Sequence, residues 1–137
     1  MSKFKIYPKA LLVLFVILIA SCSKKEDKLA YAKQMLAGKS WYLMFATQEN
    51  QTKSFVDKST YSIQFLDSQK TADSDGITGT YQVIEQKNQL HILVAGITQN
   101  GVSANYTYQI DHIAPTILKI SYTQNSILIQ KTFMTNR

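Results

Sequence analysis

Residues 104–123 read ANYTYQIDHIAPTILKISYT, and this stretch decides the fold. Ala104, Tyr106, Tyr108 and Ile110 alternate with Asn105, Thr107, Gln109 and Asp111, the two-residue period of a strand with one packed face and one wet face. After Pro115 the pattern resumes, with Leu118, Ile120 and Tyr122 set against Lys119, Ser121 and Thr123. A strand buried on one side only belongs to an antiparallel sheet, because parallel sheets are covered on both faces.

The same grammar runs outward from this stretch, from Ser40 to Met134. Short runs rich in Ile, Val, Tyr, Phe and Thr are separated by Gly, Asn, Asp, Gln and Ser, which predicts strands near 40–47, 60–67, 77–84, 89–96, 102–113, 117–123 and 127–134. Asp75-Gly76, Lys87-Asn88, Asn100-Gly101 and Asn125-Ser126 mark turns. Asn100-Gly101 best fits a type I′ turn, which needs positive φ at both central residues. Strands joined in sequence by short turns form a meander, and a meander protects its edges most completely by closing into a barrel; a two-sheet sandwich is the alternative. The gap from Gln48 to Ser59 leaves room for an additional irregular strand around Thr52 to Val56. Upstream, Asp27 to Ala37 reads DKLAYAKQMLA, with Leu29, Ala32 and Leu36 near a helical period, Asp27 as N-cap and Gly38 as the stop. The expected fold is all-β, a small antiparallel up-and-down barrel preceded by one short helix.

The N-terminal segment follows a different logic. Lys3, Lys5 and Lys9 precede an apolar run from Ala10 to Ala20, which leads into Ile19-Ala20-Ser21-Cys22. A basic start, an apolar run and a small-residue site together make a secretory signal. The run is about half the ~20 residues a spanning helix needs. Ile19 to Cys22 resembles the lipobox of bacterial lipoproteins, in which cleavage before the cysteine leaves it N-terminal and lipid-modified. That resemblance implies a signal peptide over 1–21, a membrane anchor at Cys22, and an outer-membrane location facing either the cell surface or the periplasm. Ser23 to Lys28 has no apolar residue to pack. Residues 22–28 therefore read as a polar tether and 29–137 as the barrel domain. The charged run through Glu26-Asp27 resembles the export signal of surface lipoproteins in Bacteroidetes.

Met35 to Leu43, MLAGKSWYL, is similar to the opening of bacterial lipocalin-like domains, where a helical turn ends in glycine and the first strand brings in a tryptophan that closes the barrel floor. Gly79 to Val83, GTYQV, resembles the G-T-Y-x-V strand of the same domains, and the hairpin from Gln89 to Val94 continues the order. The resemblance covers nearly all of the chain after Cys22 and implies a calycin-type barrel with Gly38 and Trp41 as structural residues. The chain departs from the usual glycine-x-tryptophan spacing by one residue and has no recognisable arginine to pack over the tryptophan.

Several function classes find no support. The formal charge of +6 halves once Lys3, Lys5 and Lys9 leave with the signal. The remaining basic residues form no phosphate-binding cluster or nucleic-acid module. His91 and His112 fall on different strands at opposite parities, short of a metal site. Asp111 and His112 are strand neighbours expected on opposite faces, and no serine stands in a Gly-x-Ser-x-Gly elbow. Asp73 and Asp75 beside Gly76 cannot supply the six to eight oxygens of a calcium site. No catalysis, metal or cofactor is therefore expected.

What remains is an aromatic set: Trp41, Phe45, Tyr61, Phe65, Tyr81, Tyr106, Tyr108, Tyr122 and Phe133, which the strand phases place mostly inward. A barrel so lined is either filled or keeps a pocket for one small molecule. Tyr81, Tyr106, Tyr108 and His112 are the candidate lining. Two functions follow: a membrane-anchored binder of a small hydrophobic or glycan-derived ligand, or an envelope interaction protein, a subunit or inhibitor, with a filled barrel. A cavity of about 300 Å³ or more separates the first from the second.

Overall fold

The computed structural model describes residues 27–56, 61–98 and 100–136. The signal segment, Cys22 and the tether as far as Glu26 lie outside the described residues. Helix α1 spans Lys28–Leu36. Asp27 caps it: one carboxylate oxygen accepts the N–H of Leu29 at 3.0 Å and of Ala30 at 3.2 Å, satisfying two donors with no partner inside the helix. The helix stops at Gly38, whose φ of +70° suits a residue without Cβ. The Gly38 N–H then donates to the Phe65 carbonyl at 2.7 Å and ties the helix end to the sheet.

The strands are β1 (Lys39–Gln48), β2 (Gln51–Ser54), β3 (Ser62–Phe65), β4 (Lys70–Asp73), β5 (Thr78–Gln86), β6 (Gln89–Ile97), β7 (Ser103–Ile113), β8 (Ile117–Gln124) and β9 (Ile127–Met134). All pairings are antiparallel, and β9 pairs with β1, so β1 and β3 to β9 close into an eight-stranded barrel. Closure excludes the sandwich. On its other edge β1 pairs with β3 through Lys39 to Tyr42 and with β2 through Phe45 to Gln48. The segment around Thr52 therefore does form a strand, but as a hairpin extension of β1.

The strand that completes the wall is β4, which the sequence does not announce. Its register places Asp73 opposite Ile63 and Thr71 opposite Phe65, so its core-side positions are polar and no apolar alternation marks it. The turns also sort differently from expectation. Glu49-Asn50, Lys87-Asn88 and Asn125-Ser126 have positive φ at both residues and form the two-residue hairpins. Around Asn100-Gly101 the Thr98 N–H donates to the Val102 carbonyl at 2.9 Å, and Gly101 takes a φ of +75° while Asn100 does not share the positive φ of a type I′ turn. This is the other common hairpin solution, with glycine in the left-handed position.

Two bulges shift the phase of the alternation. Between Leu43 and Phe45 the register against β9 gains a residue, so Met44 is buried and Phe45 turns outward at 37% exposure. Between Ile110 and His112 the register against β8 slips in the same way, leaving Asp111 as the extra residue. An added residue in one strand reverses the facing of every position beyond it until the register recovers.

Helix α1 packs against β5 and β7 and covers one end of the barrel. Beneath it Leu36, Trp41, Phe65, Ile92, Leu118 and Phe133 are fully buried. The Trp41 indole N–H donates to the Leu36 carbonyl at 3.2 Å, supplying one of the acceptors the helix C-terminus leaves open. Among the described residues, the core cluster and the hydrophobics packed on it fall within residues 29–133.

Candidate ligand cavity

The far end of the barrel is open. Across β5, β6 and β7, Gly79 stands opposite Gly96 and Gly96 opposite Ala104, so this part of the wall carries almost no side-chain bulk. A Cβ on Gly79 would lie 2.1 Å from the Ala95 carbonyl oxygen, which shows how closely β5 and β6 approach there. Next to this region, bordered by Thr71, which pairs with Gly79, lies a cavity of about 370 Å³. Its apolar lining is Ile63, Ile77 and Val94, and its polar lining includes Tyr61, Thr71, Asp73, Tyr106, Tyr108, Tyr122 and Lys131.

The cavity also opens sideways. β7 and β8 pair only from Gln109/Ser121 to Ile113/Leu118. Beyond that point β7 pairs with β6 alone and β8 with β9 alone. Asn105 to Thr107 and Tyr122 to Gln124 border the cavity from the two sides of this unpaired seam.

The aromatic residues form a connected wall. Tyr106 stacks on Tyr108 at 5.9 Å with planes 6° apart, and Tyr108 meets Tyr122 edge-on at 5.4 Å. The Tyr61 hydroxyl donates to Asp73 Oδ2 at 3.1 Å. Asp73 Oδ1 in turn accepts the N–H of Asp75 at 3.0 Å and of Ile77 at 2.9 Å, so this carboxylate is held in place by its own turn. Burial, and after it the charge of Asp73, pushes the Tyr61 hydroxyl far above its usual value. Burial does the same to Tyr108, with Tyr122, Tyr106 and Asp73 adding to the effect. Both phenols stay protonated and keep a proton to donate at ordinary pH.

Lys131 is the unexpected member. It pairs with Ile120, a buried position, and its ammonium lies 5.4 Å from the ring centroids of both Tyr61 and Tyr122. Ring faces meet this charge, and no ion pair reaches it among the described residues. In the same lining, the Thr71 hydroxyl is buried without a hydrogen-bond partner.

Of the four lining residues expected from the sequence, the cavity brings together Tyr106 and Tyr108. Tyr81 sits deeper: its hydroxyl donates to the Leu66 carbonyl at 3.1 Å and its ring meets Phe65 edge-on at 5.0 Å, which makes it a core residue. Burial, then Asp67, raises its hydroxyl. His112 leaves the set because the bulge at Asp111 turns it outward, exposed and opposite Lys119. Asp111 is exposed too, and its carboxylate accepts from Gln109 and from Ser121 at 2.9 Å. His112 borders a separate groove of about 490 Å³ with Lys28, Tyr31 and Leu90. That groove is larger but lies open beside α1, whereas the barrel cavity is more enclosed.

Lys131, Thr71 and Asp73 went unrecognised as lining. Lys131 had a signal, since it shares parity with Ile127, Ile129 and Phe133 on a strand whose span is plain in the sequence. Thr71 and Asp73 had none, because their strand is invisible to a hydrophobic pattern. Among the described residues no cluster of His, Cys, Asp and Glu could hold a metal, and no helix is long and apolar enough to cross a membrane. Comparison with protein-family models, curated proteins and solved structures gave no significant match.

Proposed function

We propose that the protein is a lipid-anchored, lipocalin-like binder of the cell envelope that takes one small amphiphilic molecule into the open end of its barrel. The observation that carries this reading is the cavity of about 370 Å³ in a barrel whose opposite half is packed solid. Pockets for small ligands begin near 300 Å³. A cavity of this size favours a ligand over the interaction-protein alternative, whose premise is a filled interior. The signal-like segment and the lipobox-like site at Cys22 support anchoring. Binding proceeds without a chemical step: the ligand enters at the mouth or through the β7/β8 seam, its apolar part lies on Ile63, Ile77 and Val94, and the tyrosine wall takes its rings or edges.

The test is titration of the soluble chain from Ser23 onward with N-phenyl-1-naphthylamine, whose fluorescence rises in apolar sites. Saturable binding at one site per chain is expected. Val94→Phe, which fills the apolar side of the cavity, should abolish it. Absence of saturable binding, or binding untouched by Val94→Phe in a folded variant, refutes the cavity as a ligand site.

A further inference from the structure

We infer that the ligand carries an anionic headgroup, a carboxylate or a group of like charge, seated on Lys131 and Thr71; the inference rests on the binding function proposed above and specifies its ligand class. A wall of four tyrosines would by itself attract a cation over its ring faces. Here that position is already taken: the Lys131 ammonium stands over Tyr61 and Tyr122 at 5.4 Å each. A second cation would be repelled, while an anion would find a charge held in place before it arrives.

Two carboxylates, Asp73 and Asp75, border the cavity as well, so a headgroup is favoured at Lys131 and not by the lining as a whole. Asp73 accepts from three donors and is committed to its turn and to Tyr61. Thr71 is 4% exposed, and its hydroxyl has no partner. An unpaired buried hydroxyl is costly, and a headgroup oxygen at this place would accept its proton. Lys131 is half-buried, and among the described residues its ammonium meets two ring faces and no carboxylate. An anion satisfies both groups at once, and a neutral apolar ligand satisfies neither.

The experiment uses two dyes with the same ring system, anilinonaphthalene sulfonate and the neutral N-phenyl-1-naphthylamine, titrated into the soluble chain from Ser23 onward. A charge-assisted bond in a partly desolvated site should make the anion bind about tenfold or more tightly than its neutral counterpart. Lys131→Met should remove that preference and leave the neutral dye within about twofold, whereas Lys131→Arg should retain it. Lys119→Met, which deletes an exposed charge outside the barrel, should leave the preference intact. Thr71→Val should weaken the anion several-fold and spare the neutral dye. Far-UV circular dichroism and Trp41 emission verify the fold of each variant, and Thr71→Val with Lys131→Arg carries the test should Lys131→Met not fold. Equal affinity for the two dyes, or a preference that survives Lys131→Met, overturns the inference while leaving the cavity as a binding site. If neither dye binds, the ligand-binding function itself falls.

Discussion

Replacing Trp41 by Ala should be among the most damaging single changes to this barrel. The side chain is fully buried beneath α1 and belongs to the cluster that fills the covered end. Truncating a buried tryptophan costs about 3–5 kcal/mol through lost transfer energy and the cavity left behind. Two further losses favour the upper part of that range. The Leu36 carbonyl loses the indole N–H at 3.2 Å, and an unpaired buried acceptor costs roughly 1–3 kcal/mol. The Lys39 ammonium, 5.7 Å from the ring centroid, loses a contact worth about 0.5–1 kcal/mol. These overlap with the truncation figure and do not simply add to it. Trp41→Phe separates them, keeping most of the volume while deleting the N–H, and should cost about 1–3 kcal/mol. Urea denaturation followed by far-UV circular dichroism measures both, since the variants lack the sole tryptophan. Against a typical stability of about 5–15 kcal/mol, Trp41→Ala should bring the midpoint down sharply. A midpoint equal to that of the unaltered chain, or native emission typical of a solvated indole, refutes the placement of Trp41 as the packed floor.

Gly79→Ala should destabilise by about 2–3 kcal/mol in the same assay, because its Cβ would meet the Ala95 carbonyl oxygen at 2.1 Å and the Gly96 Cα at 2.6 Å, backbone that yields only if β5 and β6 part. A neutral result would show that the two strands have slack. Gly101→Ala meets nothing within 4 Å and should cost only the roughly 1–2 kcal/mol of a left-handed alanine at φ +75°. Cys22→Ser in the full chain should end incorporation of labelled fatty acid and release the protein from membranes; undiminished labelling contradicts the anchor. Tyr61 and Tyr108 should stay protonated in the native barrel beyond the usual value of 10. Unfolded tyrosines ionise there, so the stability these residues lend is complete below about pH 10 and declines as pH rises further. Absorbance at 295 nm in which every tyrosine titrates near pH 10, with the fold intact, would contradict their burial.

Local signals were enough for much of the fold. The Asp27 cap, the Gly38 stop and the alternation in β7 and β8 depend on neighbours a few positions away, and a sequence displays those directly. What a sequence does not display is an inserted residue in a strand. Met44 and Asp111 look like any other strand position, yet each reverses the phase beyond it and carries Phe45 and His112 to the outside. Depth along the barrel is equally hidden: Tyr81 has the parity of a lining residue but lies at the level of Phe65, where the interior is full. β4 escaped because its core-side Thr71 and Asp73 serve the cavity instead of the core. Lys131 shows the reverse case, a charge in an apolar register that could have been noticed, because strands with one packed face rarely spend an inward position on an ammonium without a use for it.

The cap at Asp27 also has a mechanical consequence. It begins the helix that covers the closed end, so the chain enters the barrel from that side. With Cys22 as the anchor, the link from Cys22 to Asp27 can extend no more than roughly 20 Å. The eleven residues of β7 span about 35 Å along the strand, so the leash is shorter than the body it holds. An anchor at that position would keep the covered floor of the barrel near the bilayer and leave the mouth at the opposite end of the strands.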